Sequence, residues 1–258
     1  EHDADEPLEY GYVDDRDILW SKTVWEIIDL DERVNFPLYY PTDTIDIGKD
    51  RRSLYHVLMK NIRNGNLTEV YTDSYFTEKR KLEDLSATLS KVDTTDLGYE
   101  QVNAGEQVSP EFINKRDLTA ADIEEYRIKG IWYFDKRQGE LKYRLLGIAP
   151  VAPDVNFIDD ESIDPGQNKV ELFWVWFPAA RKILHDAKVY NQRNSARPIS
   201  FDALLNSRRF NGIIYKEENV HEDREISDYI FDNALFQLLE AQRIKEGIRD
   251  REQDMWAY

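Results

Sequence analysis

The chain contains no cysteine. Disulfides, zinc–thiolate sites and thiol nucleophiles are therefore excluded. Histidine is almost as scarce. The four present, His2, His56, His185 and His221, show no metal-ligand spacing such as H-x-x-x-H, and each reads as a surface or internally satisfied histidine. Glycine is sparse and scattered, and it forms no phosphate-binding loop, dinucleotide fingerprint or nucleophile elbow. No apolar run approaches the ~18 residues of a membrane span, which argues against direct membrane insertion. Positive charge is also short: 34 Lys and Arg face 51 Asp and Glu, a formal net charge of -17. That balance opposes nucleic-acid binding, which needs clustered cations, and favours partners with basic patches. No cofactor is expected.

What is present describes a folded chain with much surface. Its 258 residues suffice for one large domain or two small ones. A hydrophobic content of 41% is modest, but 6 Trp and 15 Tyr argue against disorder. The sequence begins at Glu1 rather than methionine, so either a signal peptide has been removed or the start has been trimmed. The lack of thiols fits an oxidising compartment.

Residues 1–17, "EHDADEPLEYGYVDDRD", read as an extended acidic arm. From Asp17, Trp20, Val24, Ile27 and Ile28 fall at helical spacing and predict a first helix. Glu26, Asp29 and Glu32 would be its wet side. Pro37 and Pro41 end it. A second helix is predicted over about Arg51 to Asn64, with Leu54, Val57, Leu58 and Ile62 as its stripe and Gly65 as a left-handed stop. "TEVYTDSYF" alternates like a strand, and a third helix after Thr77 carries Leu82, Leu85 and Leu89. Val92 to Leu118 reads as polar loop.

Beyond Thr119 the period becomes two. Tyr126, Ile128, Trp132 and Phe134 share a face, "RQGE" turns the chain, and Leu141, Tyr143 and Leu145 return it as a hairpin. Ser200 is placed to cap a short helix with Phe201, Leu204 and Leu205, and "NGIIYKEE" reads as another strand. A long last helix from about Asp223 carries a wide stripe of Ile226, Ile230, Ala234, Leu238 and Ala241 beside Phe231, Leu235 and Leu239, which should be packed. The fold class is therefore α+β: an acidic arm (1–17), a mainly helical part (18–118) and an antiparallel sheet with a C-terminal helix (119–258), forming one continuous globular unit.

The densest aromatic text is "LFWVWFP". As a strand it places Leu172, Trp174 and Trp176 on one side and Phe173, Val175 and Phe177 on the other. Apolar side chains on both faces mark a strand covered on both sides, whether by the core or by a neighbouring subunit, rather than a sugar platform. "DESIDPGQNKVE" puts Asp160, Ser162, Asp164 and Glu171 at calcium-loop positions. Pro165 replaces the glycine such a loop needs, and no helix follows, so a solvated loop is the better reading. Carboxylate pairs for glycan hydrolysis cannot be singled out among so many acids.

The segments "DDRDILWSKTVWEIIDLDERVNFPLYYP", "RRSLYHVLMKNI", "LFWVWFPAARKIL" and "ALFQLLEAQRIKEGIRDREQDMW", spread from Asp14 to Trp256, together resemble the GldN/PorN family of Bacteroidota. None is a catalytic motif; the likeness lies in the joint order of their aromatic and Arg-Asp features. The resemblance implies a periplasmic, non-enzymatic component of the type IX secretion system, linked in some species to gliding. It further implies a ring built from copies of the chain with a GldK/PorK-type outer-membrane lipoprotein, and contact with a GldM/PorM-type periplasmic domain. The rival reading is an envelope glycan-binding or glycan-processing protein, with Trp174 or Trp176 stacking a sugar.

Two proline- and aromatic-rich segments, the arm with Tyr10 and Tyr12 and the stretch with Phe36, Tyr39 and Tyr40, are candidate partner contacts. Local cover over the chain's own core is the alternative for each. Trp256 and Tyr258 at the end of the charged last helix are a further candidate.

Overall fold

The apolar residues Trp20, Val24 and Ile28 recur every four positions, a spacing that puts side chains on one face of a helix and of a strand alike. Local chemistry decides between the two. Ile18, Thr23, Val24, Ile27 and Ile28 are β-branched and Trp20 and Trp25 are aromatic, all stiff side chains that favour a pleated surface. In a computed structural model the predicted first helix is accordingly a strand, β1 (Ile18–Asp29). The structure describes residues 6–10, 13–43, 45, 48, 51–95, 101, 103–105, 109–157, 168–189, 198–220, 222–231 and 233–256.

The elements follow in chain order. A short helix α1 (Phe36–Tyr39) and α2 (Leu54–Arg63) precede β2 (Val70–Tyr71), α3 (Leu82–Leu89), β3 (Ser90–Thr94) and β4 (Ile113–Asp117). The long hairpin β5 (Glu125–Asp135) and β6 (Glu140–Pro153) leads to β7 (Lys169–Glu171), β8 (Trp174–Trp176) and α4 (Phe177–Asp186). Then come β9 (Lys188–Val189), β10 (Ile199–Ser200), α5 (Phe201–Asn206), β11 (Ile213–Glu217), β12 (Arg224–Glu225) and α6 (Ala234–Trp256). The fold is α+β. One antiparallel sheet runs β12-β11-β1-β5-β6-β8-β2, with β7 also on β6. Because β1 lies between β5 and β11, the two halves of the sequence share that sheet.

Several expectations needed revision. The stretch read as polar loop contains β3 and β4, which pair with each other as a separate ribbon from Ser90↔Asp117 to Thr94↔Ile113. Its residues are almost all polar, and β4 is exposed along its whole length, so it lacks the one-sided apolar alternation by which a strand is recognised. The strand read in "TEVYTDSYF" is confined to Val70–Tyr71. The last helix begins at Ala234 rather than near Asp223; Arg224–Glu225 pairs with β11, and Ile226–Asp228 makes a short 3-10 turn. Other local signals hold. Ser53 and Ser200 accept from the amides of His56 and Ala203 at 3.3 and 3.1 Å, and Gly65 has φ +73° after α2.

One face of the sheet carries the main core. Ile28, Tyr126, Ile128, Leu145 and Ile148 meet Leu54, Leu58 and Ile62 of α2, Phe177, Ala180 and Leu184 of α4, and Phe201 and Leu205 of α5. Further along the same face, Val24, Ile214 and Trp132 meet Ala241, Ile244 and Ile248 of α6. The opposite face is covered more thinly by Trp25, Ala149 and Trp174 with Tyr71, Phe76 and Tyr215.

Between the two clusters of the first face sits an ion pair. Glu26, placed above on the wet side of a helix, is instead 1% exposed. It takes both Nη atoms of Arg208, at 3.0 and 2.7 Å. The guanidinium lies 4.1 Å from the Tyr143 ring centroid and 5.3 and 5.2 Å from those of Trp132 and Phe210. Burial works against its charge, yet Glu26 and Tyr143 outweigh burial and hold its pKa above the usual value. Gly130 makes room, since a Cβ there would lie 2.1 Å from the Tyr143 hydroxyl oxygen.

Arg208→Met is expected to destabilise the fold by about 3–5 kcal/mol, because it strands a buried carboxylate. The double variant Glu26→Leu/Arg208→Met should lose less in urea unfolding than the sum of its two single variants, and additive losses would show that the pair is not coupled.

Candidate functional site

The arm is tied down by its own chain. Tyr10 donates its hydroxyl to the Leu145 carbonyl at the edge of β6. Its ring stands 6.2 Å from that of Phe177, and the guanidiniums of Arg181 and Arg144 lie 4.9 and 5.4 Å from its centroid. Burial, the largest influence, pushes the Tyr10 phenol pKa well up despite both arginines. Arg181 also donates to the Leu8 carbonyl and forks onto the buried Asp202 at 2.8 and 3.0 Å. One guanidinium thus joins the arm, α4 and α5. Tyr12 lies outside the described residues.

In the second candidate segment, Tyr39 packs against the main core and donates to the Ala121 carbonyl at 3.0 Å. Burial raises its pKa, with Tyr40 adding to the effect. Phe36 is half-buried and Tyr40 is exposed. The Tyr40 ring meets those of Phe36 and Tyr39 edge-on at 5.3 and 4.7 Å. The structure therefore brings these three aromatics together and leaves Tyr10 elsewhere.

The aromatic strand is internal. Leu172, Phe173, Trp174, Val175 and Phe177 are all fully buried, and Trp176 is half-buried against Phe76, 4.8 Å between centroids. Its faces differ from simple alternation. The chain leaves the sheet at Leu172 and Phe173, so both join Val175 and Phe177 in the main core, and Trp174 turns to the other face with Trp25. Trp174 has no side open to a sugar. Its indole donates to Glu171 Oε2 at 2.6 Å, and Arg127 Nη1 donates to Glu171 Oε1 at 2.8 Å. The carboxylate at the last calcium-loop position is thus already committed. Residues 160–167 of that loop lie outside the described residues. Among the described residues no three His, Asp or Glu side chains are grouped to hold a metal.

The surface that sequence reasoning assigned to packing is the first half of α6. Ala241, Ile244 and Ile248 are buried on the sheet. Leu235, Phe236, Leu238 and Leu239 are exposed, as is Phe231 just before the helix. At 3.6 residues per turn, Leu235 and Leu239 point away from the stripe formed by Ala241, Ile244 and Ile248. A sheet on one side cannot cover both. The signal was visible in "ALFQLLEAQ", where apolar residues occupy more than half the circumference, whereas beyond Ala241 they narrow to one stripe. Trp256 is the last residue of α6, and Tyr258 lies outside the described residues.

Among the described residues no helix is long and apolar enough to cross a membrane. A family model described as "Gliding motility associated protein GldN" matches residues 13–257. No curated protein matches the chain.

The Tyr10 contacts predict that Tyr10→Ala lowers the isolated chain's stability by about 2–3 kcal/mol, through lost packing and ring contacts. Tyr10→Phe, which keeps the ring and loses only the hydroxyl, should cost about 1 kcal/mol. Unchanged denaturation midpoints for both would mean that the arm does not cover its own core.

Proposed function

The chain belongs to the GldN family of gliding-motility-associated proteins, and from that premise we propose that it is a structural subunit of the type IX protein secretion system. In this reading it works in the periplasm without catalysis. It assembles with copies of itself and with a GldK/PorK-type outer-membrane lipoprotein into a ring, and it meets a GldM/PorM-type periplasmic domain. The observation that carries the reading is the exposed side of α6. Phe231, Leu235, Phe236, Leu238 and Leu239 place large apolar side chains in water within a few turns of one helix. Contiguous apolar surface of this kind is characteristic of protein–protein contact. The separate two-stranded ribbon of β3 and β4, with Val92 and Ile113 exposed, adds a second element that is marginal without support.

The test is co-expression with the lipoprotein, followed by co-purification and electron microscopy. Leu235→Glu/Leu239→Glu should leave the isolated chain's stability within about 0.5 kcal/mol, because both side chains are already exposed. The same variant should abolish co-assembly. Rings indistinguishable from wild type would remove α6 from the interface, and a chain that stays monomeric with its lipoprotein present would overturn the ring itself.

A further inference from the structure

In a chain of net charge -17, a local concentration of cations stands out. It lines a cleft of about 590 Å3 between α2 and α4. One wall carries Arg52, His56 and Lys60, four residues apart; the other carries Lys182 of α4 and Lys188 just beyond it, and Asp186 is the one acid in the lining. Neither Arg52, Lys60 nor Lys182 has a carboxylate ion-pair partner among the described residues; Arg52 donates only to the carbonyls of Gly48 and Arg51, at 3.0 and 2.6 Å. The walls are fixed from behind, since Leu54, Leu58 and Ile62 of α2 and Ala180 and Leu184 of α4 are buried in the main core. His56 reports the same field: burial, then Arg52, Lys60 and Arg63, push its pKa below 6.5.

The spacing indicates what the cleft fits. Four helical residues rise about 6 Å, and alternate residues of an extended peptide are about 6.6 Å apart. Side chains at every second position of an extended segment therefore keep step with His56 and Lys60 on α2, and Arg52, just ahead of the helix, continues the same wall. A single small anion would engage only part of the row.

We propose that the cleft between α2 and α4 is a binding site for an extended acidic peptide segment, whose alternate carboxylates pair with His56 and Lys60 beside Arg52 while Lys182 closes on it from the other side. The site is distinct from the apolar side of α6, and its occupancy does not depend on ring formation.

Labelled hexaglutamate serves as the probe, titrated into the full chain by fluorescence anisotropy at about 50 mM salt, with the His56 ring protons followed by NMR. Saturable binding is expected. The His56 protonation midpoint, held low by burial and then by Arg52, Lys60 and Arg63, should rise on saturation, because added carboxylates favour the imidazolium. Lys60→Glu/Lys182→Glu should weaken binding at least about tenfold, and Lys60→Gln/Lys182→Gln by less. Both lysines are exposed, and circular dichroism checks that the variants remain folded. Equal affinity in wild type and variants, no binding of the peptide, an unmoved His56 midpoint, or a response to inorganic phosphate alone would each overturn the proposal.

Discussion

The buried pair of Glu26 and Arg208 is the constraint around which the helix-covered face is arranged. Along β1 the side chains of Val24, Glu26 and Ile28 point to the same face, with Val24 under α6 and Ile28 under α2, α4 and α5. Glu26 lies between them, where a carboxylate is tolerable only if fully paired. Arg208 supplies both bonds and stacks its flat cation on Trp132, which packs with α6, and on Tyr143 and Phe210, which pack with the main core. One guanidinium therefore joins two apolar clusters that share no side chain. Its backbone carries a cost for this: Arg208 follows α5 at φ +50°, in the left-handed region where glycine is the usual helix stop. Glycine there would relieve the backbone and lose the pair.

A sheet covered by helices on one face and by a thin aromatic layer on the other has a limited reach. α6 can bury only the stripe it lays on β1 and β11, and its other side is left outward with large apolar residues. The geometry is not repaired by rotating the helix, because apolar residues occupy both sides of its first turns. Burying the outward side would be worth about 25 cal/mol per Å2 of apolar surface. That free energy becomes available only when a second body arrives.

Legibility in the sequence followed how much each segment depends on distant residues. The β5–β6 hairpin, α2 with its serine cap and the glycine stop at Gly65 are set by local pattern, and they form where the pattern places them. β1 was misread because a four-residue recurrence suits two geometries, and its neighbours β5 and β11 lie about a hundred and nearly two hundred residues away in the chain. The β3–β4 ribbon had no apolar alternation to announce it. The partner of Glu26 was illegible for the same reason, since 182 residues separate it from Arg208. Of the surfaces, the excess of apolar positions in α6 could be counted from the sequence, but which side would be outward depended on where the sheet ended.

Aromatic side chains also separate finished contacts from open ones by their polar ends. A buried hydroxyl or indole N–H left without a partner costs free energy, so a polar end bonded within the chain marks a contact already made, although Trp25 is buried with its indole N–H unbonded. Tyr10 does so on Leu145, Tyr39 on Ala121 and Trp174 on Glu171. These residues complete the fold, and a partner reaching them would have to replace a bond already made. The outward residues of α6 have no polar ends to satisfy. They lose nothing when covered, and a partner gains their full apolar area. The asymmetry marks the arm as internal cover and leaves the first turns of α6 as uncovered apolar surface, although the sequence presents both as aromatic or apolar text.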